Sequence, residues 1–284
     1  MDTTMNGKTV LVTGGTNGIG LVTARELARM GAQVTIVSRN AEKCAAVTRA
    51  IKTETGNRVE FVAADLSTLA GIKQAAAGFK QRHPRLHVLV NNAGGFFAKR
   101  ILTGDGYEMT FALNHLNYFL LTNLLLNVLK ASTPARVIIV SSGLHVNASL
   151  DFENLQGEKK YSGWDAYARS KFCNILFTYE LAQRMVGTGV TVNALHPGYV
   201  ATNLAANNGL LFGTFAKLSA RLFGRKPDEG AQTSIYLATS PVVEGVTGKY
   251  FADCQPVKSS PLSYDEELAK KLWQVCLELT GTVV

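Results

Sequence analysis

Tyr167 and Lys171 stand four residues apart in Tyr167-Ala168-Arg169-Ser170-Lys171, within a stretch that reads as helix from Asp165 onward. Side chains at i and i+4 leave one face of a helix. A free phenol titrates near about 10, and an ammonium held beside it favours the phenolate, so the pair can exchange a proton near neutral pH. Helices carry this spacing by accident as well, so its meaning depends on what other groups the chain supplies.

A second group lies near the N-terminus. The apolar run Val10-Leu11-Val12-Thr13 leads into Gly14-Gly15-Thr16-Asn17-Gly18-Ile19-Gly20 and then into a helical pattern over 21–30. Small residues between a strand and a helix let backbone N–H groups approach a pyrophosphate at the helix's positive end. The spacing is Gly-x-x-x-Gly-x-Gly, so the pattern Gly-x-Gly-x-x-Gly is not matched. Sites for NAD place Asp or Glu at the end of the next strand to bind the ribose 2′-hydroxyl. Here that position reads Ser38-Arg39-Asn40, and the first acid is Glu42. A guanidinium can grip a 2′-phosphate bidentately and stack on adenine, so Arg39 predicts NADP.

Short β-branched runs at 9–13, 33–37, 59–63, 88–90, 136–140, 191–195 and 249–251 read as strands. Helix-length patterns lie between them at 21–30, 42–53, 69–81, 107–129, 165–185 and 228–237. Alternation of this kind predicts an α/β fold: a doubly wound parallel sheet of Rossmann type, in a single domain over 1–284. The Leu/Phe-rich stretch after Thr202 interrupts the rhythm, and 203–227 is expected to be an inserted substrate lid. Leu211, Phe215, Leu218 and Leu222 recur on one helical stripe flanked by Lys217 and Arg221, a pattern that also suits contact with an anionic membrane surface.

The chain's 284 residues are 46% hydrophobic and 18% charged, which excludes a disordered, collagenous or coiled-coil protein. The formal charge is +8, but the basic residues are scattered and no nucleic-acid module signature is present, which argues against nucleic acid as a partner. Cys44, Cys173, Cys254 and Cys276 form no Cys-x-x-Cys, so neither zinc nor a disulfide framework is expected. Met1 to Lys8 is not a signal peptide, and the most apolar stretch, 118–129, is too short to span a bilayer. A reducing, cytoplasmic setting is the expectation.

Further groups follow the predicted strands in order: Asp65-Leu66, Asn91-Asn92-Ala93-Gly94, Ser141-Ser142 and Pro197-Gly198-Tyr199-Val200-Ala201-Thr202, with Asn114 inside the long helix. Together with 13–20 and Tyr167/Lys171, these resemble the short-chain dehydrogenase/reductase family over nearly the whole chain. The resemblance implies that Tyr167 is the general acid/base, that Ser142 rather than Ser141 binds the substrate oxygen, and that Lys171 holds the nicotinamide ribose and depresses the Tyr167 pKa. It implies that Asn114 anchors a water in a proton relay. Asp65 would accept from the adenine amine with Leu66 beside it, and Asn92, with Ala93 and Gly94, would line the adenine ribose. Val200 and Thr202, following Pro197 and Gly198, would hold the carboxamide.

Ser142 and Tyr167 are 25 positions apart, with the insertion 151–161 between them. That insertion, Asn114-His115-Leu116-Asn117-Tyr118-Phe119, Asn174-Ile175-Leu176-Phe177 and Gly248-Lys249-Tyr250-Phe251-Ala252-Asp253-Cys254 look like the retinol dehydrogenase branch. The implied function is NADP(H)-dependent hydride transfer to or from a lipophilic aldehyde, ketone or alcohol. Alternatives are a protochlorophyllide-reductase-like reduction of a carbon–carbon double bond and a regulator that binds NADP(H) without turnover. Asn117 stands where many relatives have Gly, and the N-terminal anchor of membrane-bound retinol dehydrogenases is not expected here. The resemblance also implies a homodimer or homotetramer, paired through the helices at 107–129 and 165–185.

Overall fold

The computed structural model describes residues 4–200, 208 and 224–282. The strands are β1 (Thr9–Thr13), β2 (Gln33–Ser38), β3 (Val59–Ala63), β4 (Val88–Asn91), β5 (Ala135–Val140), β6 (Val190–His196), β7 (Lys249–Ala252) and β8 (Gln255–Val257). The helices are α1 (Gly18–Arg29), α2 (Ala41–Thr55), α3 (Leu69–Lys80), α4 (Met109–Phe111), α5 (Asn117–Lys130), α6 (Gly163–Arg184), α7 (Pro227–Thr239) and α8 (Glu266–Thr280).

All strands join one sheet in the order β3-β2-β1-β4-β5-β6-β7-β8. Every pairing is parallel except β7 with β8. Alternate strand residues feed opposite faces, as the two-residue period of a strand requires. Leu11, Leu89, Val137 and Ile139 pack with Phe79, Phe119, Phe172 and Trp273 from α3, α5, α6 and α8. Val10, Val12, Ile36, Val90, Ile138 and Leu195 pack with Leu27, Ile51 and Leu237 from α1, α2 and α7. The doubly wound single domain is thus the observed architecture.

The strand order reverses between β1 and β4, and this is where open parallel sheets leave a crevice at the carboxyl edge. Register brings Val12 beside Val90, Asn91 beside Ile139 and Val140 beside Leu195, so the segments following β1, β4, β5 and β6 emerge together.

Three features differ from the sequence expectation. The long helix at 107–129 is split, because a π-helical turn at Ala112–Leu116 separates α4 from α5. The hairpin strand β8 is fully exposed and contains Pro256, so it carries no apolar alternation to detect. Helix α8 does carry a readable pattern, with Ala269, Leu272, Trp273, Cys276 and Thr280 buried, Asp265 accepting from the Leu268 N–H, and Gly281 left-handed at its end. Of the expected lid, residues 203–207 and 209–223 lie outside the described residues, as does Thr202. Helix α6 buries most of its length within this one chain, because the sheet covers one side and α8 the other. No helix among the described residues is long and apolar enough to cross a membrane.

Candidate active site

The turn after β1 is built from glycines that nothing larger could replace. Gly14 has φ +69°, and a Cβ there would lie 3.0 Å from Ala93 Cα. A Cβ on Gly15 would meet Ile36 Cγ2 at 2.5 Å, and one on Gly20 would meet Asn92 Nδ2 at 2.4 Å and Gly14 O at 2.5 Å. Loop, helix and the β4 turn are therefore in backbone contact, which leaves the α1 N-terminus open to an anion. Gly18 adopts φ +51° and Asn17 is the N-cap residue of α1. Ile19 packs toward Gly230 of α7, which also touches Val200.

Thr13 holds the switch point together. Its Oγ1 accepts from the Asn92 N–H at 2.8 Å and the Ala93 N–H at 2.9 Å, while Asn92 Nδ2 donates to Thr13 O at 2.9 Å. Thr16 Oγ1 lies 3.0 Å from Ser38 Oγ, tying the glycine turn to the end of β2. Arg39 follows, exposed, with no ion pair or side-chain hydrogen bond among the described residues. Asp65, also exposed, follows β3 and accepts at Oδ1 from the Ser67 N–H and hydroxyl, while Leu66 beside it is buried. A glycine cradle at a helix start, an exposed guanidinium and a carboxylate at adjacent strand ends fit an adenine dinucleotide.

The other end of the crevice holds the reactive groups. Tyr167 is 7% exposed, with the Ser142 side chain near enough to its phenol to act on its protonation. Ser142 caps the short helical turn Gly143–Asn147, its Oγ accepting from the Leu144 N–H at 3.2 Å. Its carbonyl accepts from His145 Nδ1 at 2.8 Å, a tautomer fixed because His145 Nε2 accepts from the Ser260 N–H at 3.1 Å. Ser141 points elsewhere: it is buried and donates to the carbonyl of Lys171 at 2.7 Å.

Lys171 Nζ donates to Val140 O at 3.0 Å and sits 5.7 Å from the Tyr167 ring centre. Burial lowers the Lys171 pKa to about 7. Burial also pushes the Tyr167 phenol up to about 12, against a smaller opposing pull from the Ser142 hydrogen bond. The chain's own groups thus do not produce the depressed phenol expected from the spacing. The reason is physical: both groups are desolvated, which disfavours charge on each, and a lysine near its neutral form exerts little field.

Asn114 lies in the π-turn with its amide fully engaged. Oδ1 accepts from the Gly95 N–H at 2.8 Å, and Nδ2 donates to Gly95 O at 3.0 Å and to Ser170 Oγ at 3.1 Å. The Ser170 hydroxyl donates in turn to the Tyr167 carbonyl at 2.7 Å. A Cβ on Gly94 would be 3.0 Å from Asn114 Oδ1 and 3.6 Å from Lys171 Nζ, so these groups surround one point. Asn117 closes the wide turn: its N–H reaches Ala112 O and its Nδ2 donates to Leu113 O at 3.3 Å. A side-chain donor for a carbonyl beside the π-turn accounts for Asn at this position.

Sequence reasoning missed several participants. Ser170, His115 and Asn174 are buried polar partners of the Asn114 turn, and the motifs around Asn114, Tyr167 and Asn174 already contained all three. Tyr118 is wholly buried with its ring 5.6 Å from Lys171 Nζ. Gly198, with φ +80°, donates its N–H to His196 Nδ1 at 3.1 Å after Pro197. At the mouth, Phe96 lies 4.7 Å from the Trp164 ring and 6.1 Å from the Tyr167 ring. Trp164 is 62% exposed. Asn208 binds the same loop, donating to Phe96 O at 2.8 Å and accepting from the Ala98 N–H at 2.6 Å.

Comparison with known proteins follows the same lines. The short chain dehydrogenase family profile matches residues 8–210. Retinol dehydrogenase 14 of Mus musculus is 44% identical over 290 residues, covering 98% of this chain and 87% of that protein. Retinol dehydrogenase 12 of Homo sapiens is 44% identical over 276 residues, covering 97% and 87%. Among solved structures, an uncharacterized protein from Mycobacterium Paratuberculosis superposes with a TM-score of 0.80 at 34% identity, covering 98% and 95% of the two chains. The NADP active-site complex of Pseudomonas aeruginosa RhlG gives a TM-score of 0.69 at 29% identity, covering 87% and 95%. The glycine turn, the Ser142–Tyr167 pair and these relatives agree: the chain belongs to the short-chain dehydrogenase/reductase family of oxidoreductases and is retinol dehydrogenase-like.

Proposed function

We propose that the protein is an NADP(H)-dependent oxidoreductase that interconverts lipophilic aldehydes or ketones and the corresponding alcohols. The observation that carries this reading is the placement of Tyr167, buried with Lys171 Nζ 5.7 Å from its ring centre and Ser142 close by, at the carboxyl edge of the sheet. Gly14, Gly15, Gly18 and Gly20 would receive the pyrophosphate, with Thr16, Asn17 and Ile19 completing the turn. Arg39 would hold the 2′-phosphate, Asp65 the adenine amine, Asn92 the ribose, and Val200 the carboxamide. Bound there, the nicotinamide supplies or accepts the hydride.

The chain's own groups then handle the proton. A phenol whose pKa is about 12 stays protonated at neutral pH, so Tyr167 is set to donate to a carbonyl oxygen that Ser142 also binds. Lys171, near its own titration point, can return a proton to Tyr167 afterwards. The Phe96–Trp164 pair, leading from solvent to Tyr167, supports an apolar substrate tail, since it offers aromatic surface at low ordering cost.

A screen of decanal, all-trans-retinal, aromatic ketones and their alcohols, followed by NADPH or NADH absorbance, tests this reading. Carbonyl reduction with a higher kcat/KM for NADPH is the expected result. Preference for NADH, or no turnover of any carbonyl or alcohol, would overturn it.

A further inference from the structure

The polar chain behind Asn114 continues to the C-terminal helix. Asn174 Nδ2 donates to the backbone carbonyl of Asn114 at 3.0 Å, and His115 Nδ1 lies 3.0 Å from Asn174 Oδ1. Cys276 Sγ, from α8, lies 3.4 Å from His115 Nε2. All three side chains are buried.

The protons in this chain can be assigned. A carbonyl only accepts, so the Asn174 amide nitrogen must face Asn114, which leaves Asn174 Oδ1 as an acceptor toward His115. His115 Nδ1 therefore carries the hydrogen and Nε2 is bare, so the Cys276 thiol donates to it. Burial lowers the His115 pKa to about 4, so the ring keeps this neutral form across the working range. The run of donors goes one way: Cys276, His115, Asn174, Asn114.

Gly95 and Ser170 hold the Asn114 side chain close to Lys171 Nζ, and the Asn174 amide holds the Asn114 backbone carbonyl of the same turn. That carbonyl sits in a π-turn, where the regular helical bonding pattern is interrupted. We propose that His115 and Asn174 are positioning residues that orient the Asn114 carbonyl and its turn, so that they set the rate of proton transfer without touching cofactor or substrate. The inference rests on the proposed function, because it assigns a purpose to the proton path of Tyr167 and Lys171. A purely structural role would lower stability and cofactor affinity along with rate. A positioning role separates them.

The test compares His115→Leu, His115→Asn and Tyr167→Phe, assayed with NADPH and the best aldehyde of the screen. In His115→Leu, kcat is expected to fall about tenfold to a hundredfold, the scale of a small misplacement at a reacting centre. The NADPH Kd should stay within about twofold, and the solvent isotope effect on kcat should rise. His115→Asn keeps an N–H donor near the Nδ1 position and should recover most of the kcat. Unchanged kcat in folded His115→Leu, or a Kd that weakens in step with kcat, overturns the inference. Should that variant not fold, Asn174→Ala removes the donor to Asn114 directly, and the same split is expected or the inference fails. Loss of activity in Tyr167→Phe with normal His115→Leu removes this inference alone. Normal turnover in Tyr167→Phe overturns the functional reading and this inference with it.

Discussion

Lys171 is predicted to be a residue that function requires and stability pays for. Its ammonium has an ordinary pKa of 10.5, which burial lowers to about 7. The unfolded chain therefore binds a proton at this site that the folded chain gives up over that interval. With the folded pKa depressed, the penalty is absent above about 10.5, grows as pH falls, and is complete below about 7. A tenfold change in proton affinity is worth about 1.4 kcal/mol, so a fall from 10.5 to about 7 sets an upper bound of about 5 kcal/mol. Lys171→Met keeps the volume, removes the charge and loses the 3.0 Å bond to Val140 O, which offsets about 1 to 2 kcal/mol. Allowing for relaxation around a buried ion, the net gain at pH 6.5 should be about 1 to 3 kcal/mol. For a domain of this size that raises Tm by about 2 to 5 °C. Thermal or urea unfolding of both proteins at pH 6.5 and 9.5, without added dinucleotide, measures it. The variant should be inactive and more stable at pH 6.5, with the advantage shrinking by pH 9.5. A variant less stable than wild type at pH 6.5 would refute the claim that the lysine is held against its preferred charge.

Other consequences follow from single side chains. Arg39→Asp exchanges the proposed phosphate contact for a repulsive carboxylate. Its NADPH kcat/KM should fall by at least about tenfold relative to NADH, the scale of one charge-assisted bond, and unchanged preference would count against the assignment. Gly20→Ala places a methyl group within 2.5 Å of Asn92 and Gly14, so titration with NADP+ should show no saturable binding while circular dichroism stays native. The adjacent serines should separate. Ser142→Ala should lower kcat by about tenfold or more with little change in Tm, whereas Ser141→Ala, which loses the buried 2.7 Å bond to the Lys171 carbonyl, should lower stability by about 0.5 to 1.5 kcal/mol. Comparable kinetic losses in both would contradict the geometry.

The strand-helix rhythm was legible because parallel strands buried on both faces form continuous β-branched runs, as in Val10 to Thr13 and Arg136 to Val140. The preference for Ser142 over Ser141 rests on resemblance, and in the structure Ser141 is engaged with the Lys171 carbonyl while the Ser142 hydroxyl accepts from the Leu144 N–H. Other features depend on tertiary context. The π-turn is invisible because Ala112 to Leu116 has ordinary helix formers, and the extra residue in the turn follows from Asn117 and the packing of Asn114. The pKa values depart from expectation because spacing reports proximity and not desolvation, which dominates at Tyr167 and Lys171. Strand β8 follows the left-handed pair Asp253 and Cys254, a turn that carries none of the glycine or asparagine signals of a tight hairpin.

The central claim is that Tyr167 transfers the proton. Single-turnover reduction of the best aldehyde by saturating NADPH, compared between wild type and Tyr167→Phe, addresses it most directly, since product release and cofactor binding do not enter. The variant keeps the ring that packs against Phe96 and loses only the hydroxyl. The rate should fall by at least about 100-fold, with the NADPH Kd within about twofold of wild type. A single-turnover rate close to that of wild type would contradict the account.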